Sequence, residues 1–349
     1  MSDQEQQKFQ VLALSGGGFR GLYTAIVLQK LEEELGRPIG QSFDLIAGTS
    51  VGGILALAVA YEIPMKDVVQ LFEEKGKHIF AKKKFRLPFF GNVMSAPYES
   101  EPLKQILLNW FGDKIIADLK HPVVIPAINY TTGKINVFKT PHHSSLMQDW
   151  KQKIVDVALA TSAAPTYFKR HEIGKNEYVD GGLFANNPSL IGLHEADYLF
   201  NHPIENMNIM SIGTVSAIQS GDPDYKNSGG YYDWGHGKIT HAAQNIIDVV
   251  LSSQQQLMGH IVRQRFLKYP NQLQVIDATP TLNGSKYIGL DEVSENAIKV
   301  LTTAGEQSAK EALGQRDVKN IINQLAPLPQ WFNGPNKNAS EVVNTAVQP

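Results

Sequence analysis

The chain has 349 residues, 42% of them hydrophobic and 19% charged, with a formal net charge of −2 and no cysteine. Such a composition suits a globular protein with a sizeable core, and it excludes disulfides and thiolate metal sites. Without a basic excess, DNA and RNA are not expected partners. The start, MSDQEQQK, is polar and lacks the apolar stretch of a secretory signal. No apolar run approaches the roughly 18 residues that span a bilayer, and the best candidate, 52–60, is too short. The expectation is a cytoplasmic protein that meets the inner membrane, if at all, from its surface.

In chain order, Phe9–Leu14 (FQVLAL) is a continuous apolar run ended by glycines, the pattern of a strand buried on both faces. Residues 15–21 read SGGGFRG. In Gly21–Leu35 the residues Leu22, Ile26, Leu28, Leu31 and Leu35 fall near one helical face, and Gly36 and Pro38 stop the helix. Residues 43–47 (FDLIA) predict a second short strand, running into Gly48 and a helix that continues through Tyr61. This alternation of strand and helix predicts an α/β protein with a parallel sheet covered on both faces. Further strands are predicted over 123–128, 134–138 and 207–212, and helices over 150–160, 189–199, 239–262 and 294–313. Residues 1–7 read as a polar tail, 8–326 as one domain, and 327–349, rich in Pro, Asn and Gly, as a loosely ordered tail.

The glycine run admits two readings. Gly16, Gly18 and Gly21 satisfy G-x-G-x-x-G, so the loop could cradle a dinucleotide pyrophosphate or the oxyanion of a reaction intermediate. The dinucleotide reading needs an acid at the C-terminal end of the second strand. The only acid in FDLIA is Asp44, at the N-terminal end; the other end leads to Gly48-Thr49-Ser50-Val51-Gly52. That is G-x-S-x-G between a strand and a helix, the setting of a nucleophilic serine on a sharp turn. The helix N-terminus favours negative charge there, and the Val51 N–H can donate to an oxyanion. The N–H groups of Gly17 and Gly18 would join it, with Arg20 pinning the loop or adding positive potential. A serine also needs a base. None of the ten histidines sits in a revealing pattern. Asp180, in Tyr178-Val179-Asp180-Gly181-Gly182, is the better candidate, although Asp-Gly-Gly alone is an ordinary turn.

In this order SGGGFRG, GTSVG and DGG resemble the patatin-like phospholipases, as do ALATSAAPTYF (158–168) and DGGLFANNPSLIGLHEA (180–196). The resemblance covers roughly residues 8–215. It implies a three-layer α/β/α sandwich with a mainly parallel central sheet and a lipid acyl hydrolase that needs no cofactor or metal. It makes Ser50 the nucleophile and Asp180 the base, with Gly16, Gly17, Gly18 and Val51 at the oxyanion. Arg20, Gly48, Gly52, Gly181 and Gly182 support them. The family's S-x-G-T-G turn is here Ser211-Ile-Gly-Thr-Val215, without its last glycine. The compact architecture also looks like that of the phospholipase effectors of bacterial antiphage systems, which a cyclic oligonucleotide switches on. That implies an anionic activator, for which Arg263, Arg265, Lys268 or the basic run 82–86 could supply charge. Residues 79–90, IFAKKKFRLPFF, could meet lipid through Phe85, Phe89 and Phe90, cover the acyl site as a lid, or pack as a core loop. A non-catalytic storage or lipid-binding protein, and a serine thioesterase or peptidase, are the competing readings, and a homo-oligomer stays open.

Overall fold

The computed structural model describes residues 7–81, 96–215, 229–235, 241–280 and 287–337. Eight strands among them form one sheet in the order β5-β6-β3-β2-β1-β7-β8, with β4 paired to β3. At its centre β1 (Phe9–Leu14) is buried along its whole length. It lies parallel to β2 (Leu45–Gly48) and to β7 (Met207–Ile212). Parallel pairing continues outward to β3 (Val123–Asn129) on one side and β8 (Leu273–Ile276) on the other. The strands β4 (Lys134–Lys139), β5 (His171–Ile173) and β6 (Asn176–Asp180) are antiparallel additions.

Alternation along the strands divides the core in two. Leu12, Leu14, Ile46, Met210 and Ile212 face one side, where α1 (Gly21–Leu35), α2 (Val51–Tyr61), α3 (Met65–Ile79), α4 (Glu101–Phe111) and α5 (Ile154–Thr161) supply the covering apolar groups. Phe9, Val11, Leu45, Ala47 and Ile209 face the other. After the single turn α6 (Gly182–Ala185), that second side is covered by α7 (Ser189–Tyr198). The short α8 (Tyr231–Trp234) precedes α9 (Ala242–Arg265), whose Val262 closes the second face. The chain then returns to the first face with α10 (Glu295–Leu313) and α11 (Arg316–Asn323). The result is a three-layer sandwich with a mainly parallel sheet. Helix α2 is apolar on all sides because it is buried on all sides, Tyr61 excepted.

Several boundaries move. The second strand begins at Leu45, two residues late; just before it the Asp44 carboxylate accepts the Gln10 N–H at 2.7 Å, and the Asp44 N–H donates to the Gln10 carbonyl at 2.9 Å. Residues 149–151 form a separate 3-10 turn, and the helix expected from 150 starts at Ile154. Helix α9 ends three residues beyond the expected 262, at Arg265. The greatest difference is at the C-terminus, where residues 327–337 are tied to the domain. Trp331 is buried. The Phe332 N–H donates to the Pro141 carbonyl at 2.8 Å, and the Asn333 and Asn336 amides donate to the carbonyls of Leu146 and Ala117. Pro and Asn content signalled a lack of regular structure there, which is compatible with side chains that anchor it.

The sheet explains where a site can form. Strand β4 occupies one edge of β3 from Val124 to Asn129. The other edge is shared: β2 pairs with Val123 and Val124, and β6 pairs with residues 127–129. Strand β6 therefore continues past the C-terminal end of β2, and Asp180, its last residue, arrives beside the turn that follows β2.

Candidate functional site

Three loops meet at the C-terminal ends of β1, β2 and β7, the edge where open α/β sheets hold ligands. The loop after β2 carries Ser50, whose φ is 58° and ψ −128°. A side chain in that region is strained by about 1–3 kcal/mol, a cost found where function requires it. Gly48 and Gly52 make the turn passable: a Cβ on Gly48 would lie 2.2 Å from the Gly52 carbonyl oxygen, and one on Gly52 would lie 2.2 Å from that of Leu14. The turn is fixed from outside by Thr161, whose Oγ1 accepts the Ser50 N–H at 3.0 Å and donates to the Pro126 carbonyl at 2.6 Å. Thr49 Oγ1 donates to the Ala185 carbonyl at 2.7 Å.

Asp180 is 3% exposed. Its Oδ2 accepts the Ser50 hydroxyl at 2.6 Å, and its Oδ1 accepts the Gly182 N–H at 2.7 Å. Burial raises its pKa from the ordinary carboxyl value to about 6, with the hydrogen bonds from Ser50 and Gly182 opposing the shift. Three of the histidines are engaged elsewhere. His142 bonds Glu195 and Thr140, His171 bonds Asp156, and His194 stacks on Tyr198.

The glycine loop differs in one respect from the expectation. Gly16 is not a free donor: its N–H is spent on the Asn186 carbonyl at 2.9 Å. Gly17 and Gly18 face the same cavity as Ser50 and Val51, and among the described residues no backbone carbonyl accepts their N–H groups. Gly18 has φ +57°, and a Cβ there would lie 2.2 Å from the Leu290 carbonyl oxygen. Arg20 pins the loop, its Nε donating to the Gly17 carbonyl at 3.2 Å. Burial lowers the pKa of its guanidinium, and the carboxylates of Asp248 and Asp277 offset part of that. At the β7 turn Thr214 Oγ1 donates to the Gly16 carbonyl at 3.0 Å. Val215, where the family pattern has glycine, keeps a glycine-like φ of +56°. Its N–H donates to Asp277 Oδ1 at 2.9 Å and its side chain is buried, which offsets the strain of a β-branched residue there.

An apolar cavity of about 90 Å³ opens on Ser50 and Asp180. Its walls include Ile54, Phe72, Leu103, Leu107, Trp110, Phe168, Leu251 and Leu290. Phe80, from the aromatic stretch, is part of that wall; Phe85, Phe89, Phe90 and the basic run 82–86 lie outside the described residues. Arg263, Arg265 and Lys268 are exposed, on or just beyond α9. Among the described residues no group of three or more His, Asp or Glu could hold a metal ion, and no helix is long and apolar enough to cross a membrane.

Thr161, Asn186, Thr214 and Leu290 were not singled out in the sequence. The first three lie inside or beside quoted motifs: Thr161 accepts the Ser50 N–H, and Asn186 and Thr214 hold the N–H and the carbonyl of Gly16. Leu290 has no motif, and only the fold brings it to Gly18.

Comparison with known proteins shows the family of the chain. Residues 12–192 match the family described as patatin-like phospholipase. A cGAMP-activated phospholipase of Pseudomonas aeruginosa is 41% identical over 336 residues, covering 95% of this chain and 97% of its own. Proteins of the same description from Escherichia coli and Vibrio cholerae are 34% and 33% identical, covering 92% and 88% of this chain and 95% and 92% of their own.

Proposed function

Because this chain belongs to the patatin-like phospholipase family, we propose that Ser50 and Asp180 carry its phospholipase chemistry as a two-residue unit. The observation that supports this most is the hydrogen bond from Ser50 Oγ to Asp180 Oδ2 at 2.6 Å. Ser50 Oγ attacks the ester carbonyl carbon as its proton passes to Asp180. The carbonyl oxygen becomes an oxyanion facing the N–H groups of Gly17, Gly18 and Val51. Collapse of this intermediate breaks the ester C–O bond, and Asp180 returns the proton to the departing lysophospholipid alcohol. The acyl group is then on Ser50. Water attacks it, giving its proton to Asp180, and the second collapse frees the fatty acid and restores the Ser50 hydroxyl.

The raised pKa of Asp180 suits this cycle. A carboxyl near 6 is ionised at neutral pH and is a stronger base than an ordinary aspartate. The apolar cavity would take the acyl chain, leaving the headgroup outside.

The relatives' description extends to regulation: this chain would be switched on by a cyclic dinucleotide of the cGAMP type. Working from the cytoplasm, the enzyme would meet its substrate at the surface of the inner membrane. The test is hydrolysis of phospholipid vesicles with and without cGAMP, by wild type, Ser50→Ala and Asp180→Ala, with fluorophosphonate labelling of Ser50. Folded variants that keep full activity would remove the dyad. Vesicle hydrolysis that no cyclic dinucleotide changes would remove the switch.

A further inference from the structure

The glycine loop is held in place from its base. Gly16 donates its N–H to the Asn186 carbonyl and accepts Thr214 Oγ1 on its own carbonyl. The Asn186 side chain is 2% exposed and fills space beside two glycines. Its Oδ1 lies 2.3 Å from where a Cβ on Gly16 would sit and 3.0 Å from where one on Gly182 would sit. One amide therefore separates the donor loop from the turn that carries Asp180. A buried amide in so narrow a gap is oriented by what its NH₂ group meets. Here Asn186 Nδ2 donates to Gln255 Oε1 at 3.0 Å, and it stands 3.5 Å from the Gly16 carbonyl oxygen.

Gln255 lies on α9, far from every motif in the sequence. Its helix reaches the site twice more through the same face, at spacings of four and seven residues. Leu251 lines the acyl cavity, and its Cδ2 is 2.7 Å from the position a Cβ on Gly182 would take. Asp248 acts on Arg20, the residue that pins Gly17. The helix is thinly seated: among its 24 residues only Ala242, Gly259 and Val262 are buried. Its hold on Asn186 is thus a specific contact and not a by-product of deep packing.

We propose that Gln255 is a positioning residue of the reaction. Its Oε1 orients the Asn186 amide, Asn186 seats Gly16, and the seated loop aims the Gly17 and Gly18 N–H groups at the oxyanion. This rests on the reading of Ser50 as nucleophile and of those N–H groups as its oxyanion donors. Helix α9 then belongs to the catalytic apparatus although it supplies no group that touches the reacting atoms.

The experiment uses the full chain and a soluble ester, p-nitrophenyl butyrate, so that bilayer contact plays no part. Wild type and Ser50→Ala are assayed first; esterase activity that survives in Ser50→Ala would overturn the function, whatever Gln255 does. With that control passed, Gln255→Leu, which removes the acceptor at similar volume, should lower kcat about tenfold or more, because a misaimed oxyanion donor costs turnover. KM should stay within about twofold, and the melting temperature and the final stoichiometry of fluorophosphonate labelling should not change. Gln255→Glu keeps an acceptor oxygen and should recover a substantial part of kcat, the added charge preventing full recovery. Gln255→Ala, the milder change on a half-exposed face, carries the same expectation should Gln255→Leu fail to fold. Unchanged kcat in a folded variant without the acceptor overturns the proposal. So does a kcat that falls only in step with the labelled fraction, or a Gln255→Glu enzyme no better than Gln255→Leu.

Discussion

Ser50 Oγ donates to Asp180 Oδ2 at 2.6 Å, across 130 residues of chain, with the carboxyl 3% exposed and its pKa raised to about 6. The base must be ionised to accept a proton. Activity on a soluble ester should therefore be full above pH of about 7 and fall tenfold per unit below about 6, with one apparent pKa near that of Asp180. Asp180→Asn should lower kcat by about 10³ or more, the scale seen when a catalytic unit loses its proton acceptor. A pH profile with its midpoint near 4 would show that burial does not tune this carboxyl.

The same shift makes Asp180 costly to the fold. The folded state binds this proton more tightly than the unfolded chain, so its contribution to stability declines as pH rises from about 4 to about 6 and is level above that. A rise from 3.8 to about 6 corresponds to about 3 kcal/mol. Asp180→Asn should thus gain stability relative to wild type as pH rises through this window, measured by urea unfolding near pH 4 and pH 7. An Asn cannot accept both the Ser50 and Gly182 bonds equally well, so the net gain should be less than the full figure. A difference that does not vary with pH would contradict the raised pKa.

Gly18 and Gly36 both have positive φ, +57° and +64°, but differ in surroundings. A Cβ on Gly18 would strike the Leu290 carbonyl, whereas nothing lies within 4 Å of one on Gly36. Gly36→Ala should cost about 1 kcal/mol of stability from backbone strain alone and leave kcat unchanged. Gly18→Ala should lower kcat about 10²-fold, since the loop must move to relieve the clash and carries its N–H groups with it, while KM changes little. Equal effects of the two changes on kcat would separate the Gly18 N–H from the reaction.

The centre of the site was legible because its chemistry needs rare local backbone: glycines where chain passes chain, a serine on a strained turn, an aspartate before two glycines. The sheet was legible where strands are buried on both faces, as in FQVLAL. Residues such as Gln255 and Leu290 were not legible, because each is an ordinary residue made relevant only by tertiary contact. Val215 shows the opposite case. The sequence departs from the family at that position, yet the backbone keeps the positive φ that a glycine would adopt, since Asp277 holds its N–H.

Trp331 tests whether the C-terminal segment belongs to the domain. It is 6% exposed, and the three hydrogen bonds around it reach Pro141, Leu146 and Ala117. Trp331→Ala should cost about 3 kcal/mol in urea unfolding, the usual scale for deleting a buried aromatic ring. A loss below about 0.5 kcal/mol would mean that the segment rests on the domain without stabilising it.

The acyl cavity is narrow, and this bears on the proposed switch by a cyclic dinucleotide. Its volume is about 90 Å³. A closed cavity of roughly 150 Å³ holds benzene, so a membrane lipid's acyl chain would either run out through the open mouth of this cavity or part its walls. One wall is Leu290, whose carbonyl accepts the Phe19 N–H at 2.8 Å, next to Asp291, which accepts the Tyr98 hydroxyl at 2.5 Å. The hydrogen bonds that fix Ser50 and Asp180 run to Thr161, to Gly182 and to each other, not to this wall. A cyclic dinucleotide that acts by opening the cavity should therefore raise hydrolysis of long-chain phospholipid about a hundredfold or more, yet change hydrolysis of p-nitrophenyl butyrate less than about threefold. Tyr98→Phe, by loosening the clasp on Asp291, should raise long-chain hydrolysis without nucleotide and leave the butyrate rate alone. Parallel activation of both substrates would place the switch at the dyad or its oxyanion donors, and the narrow cavity would then be incidental to control.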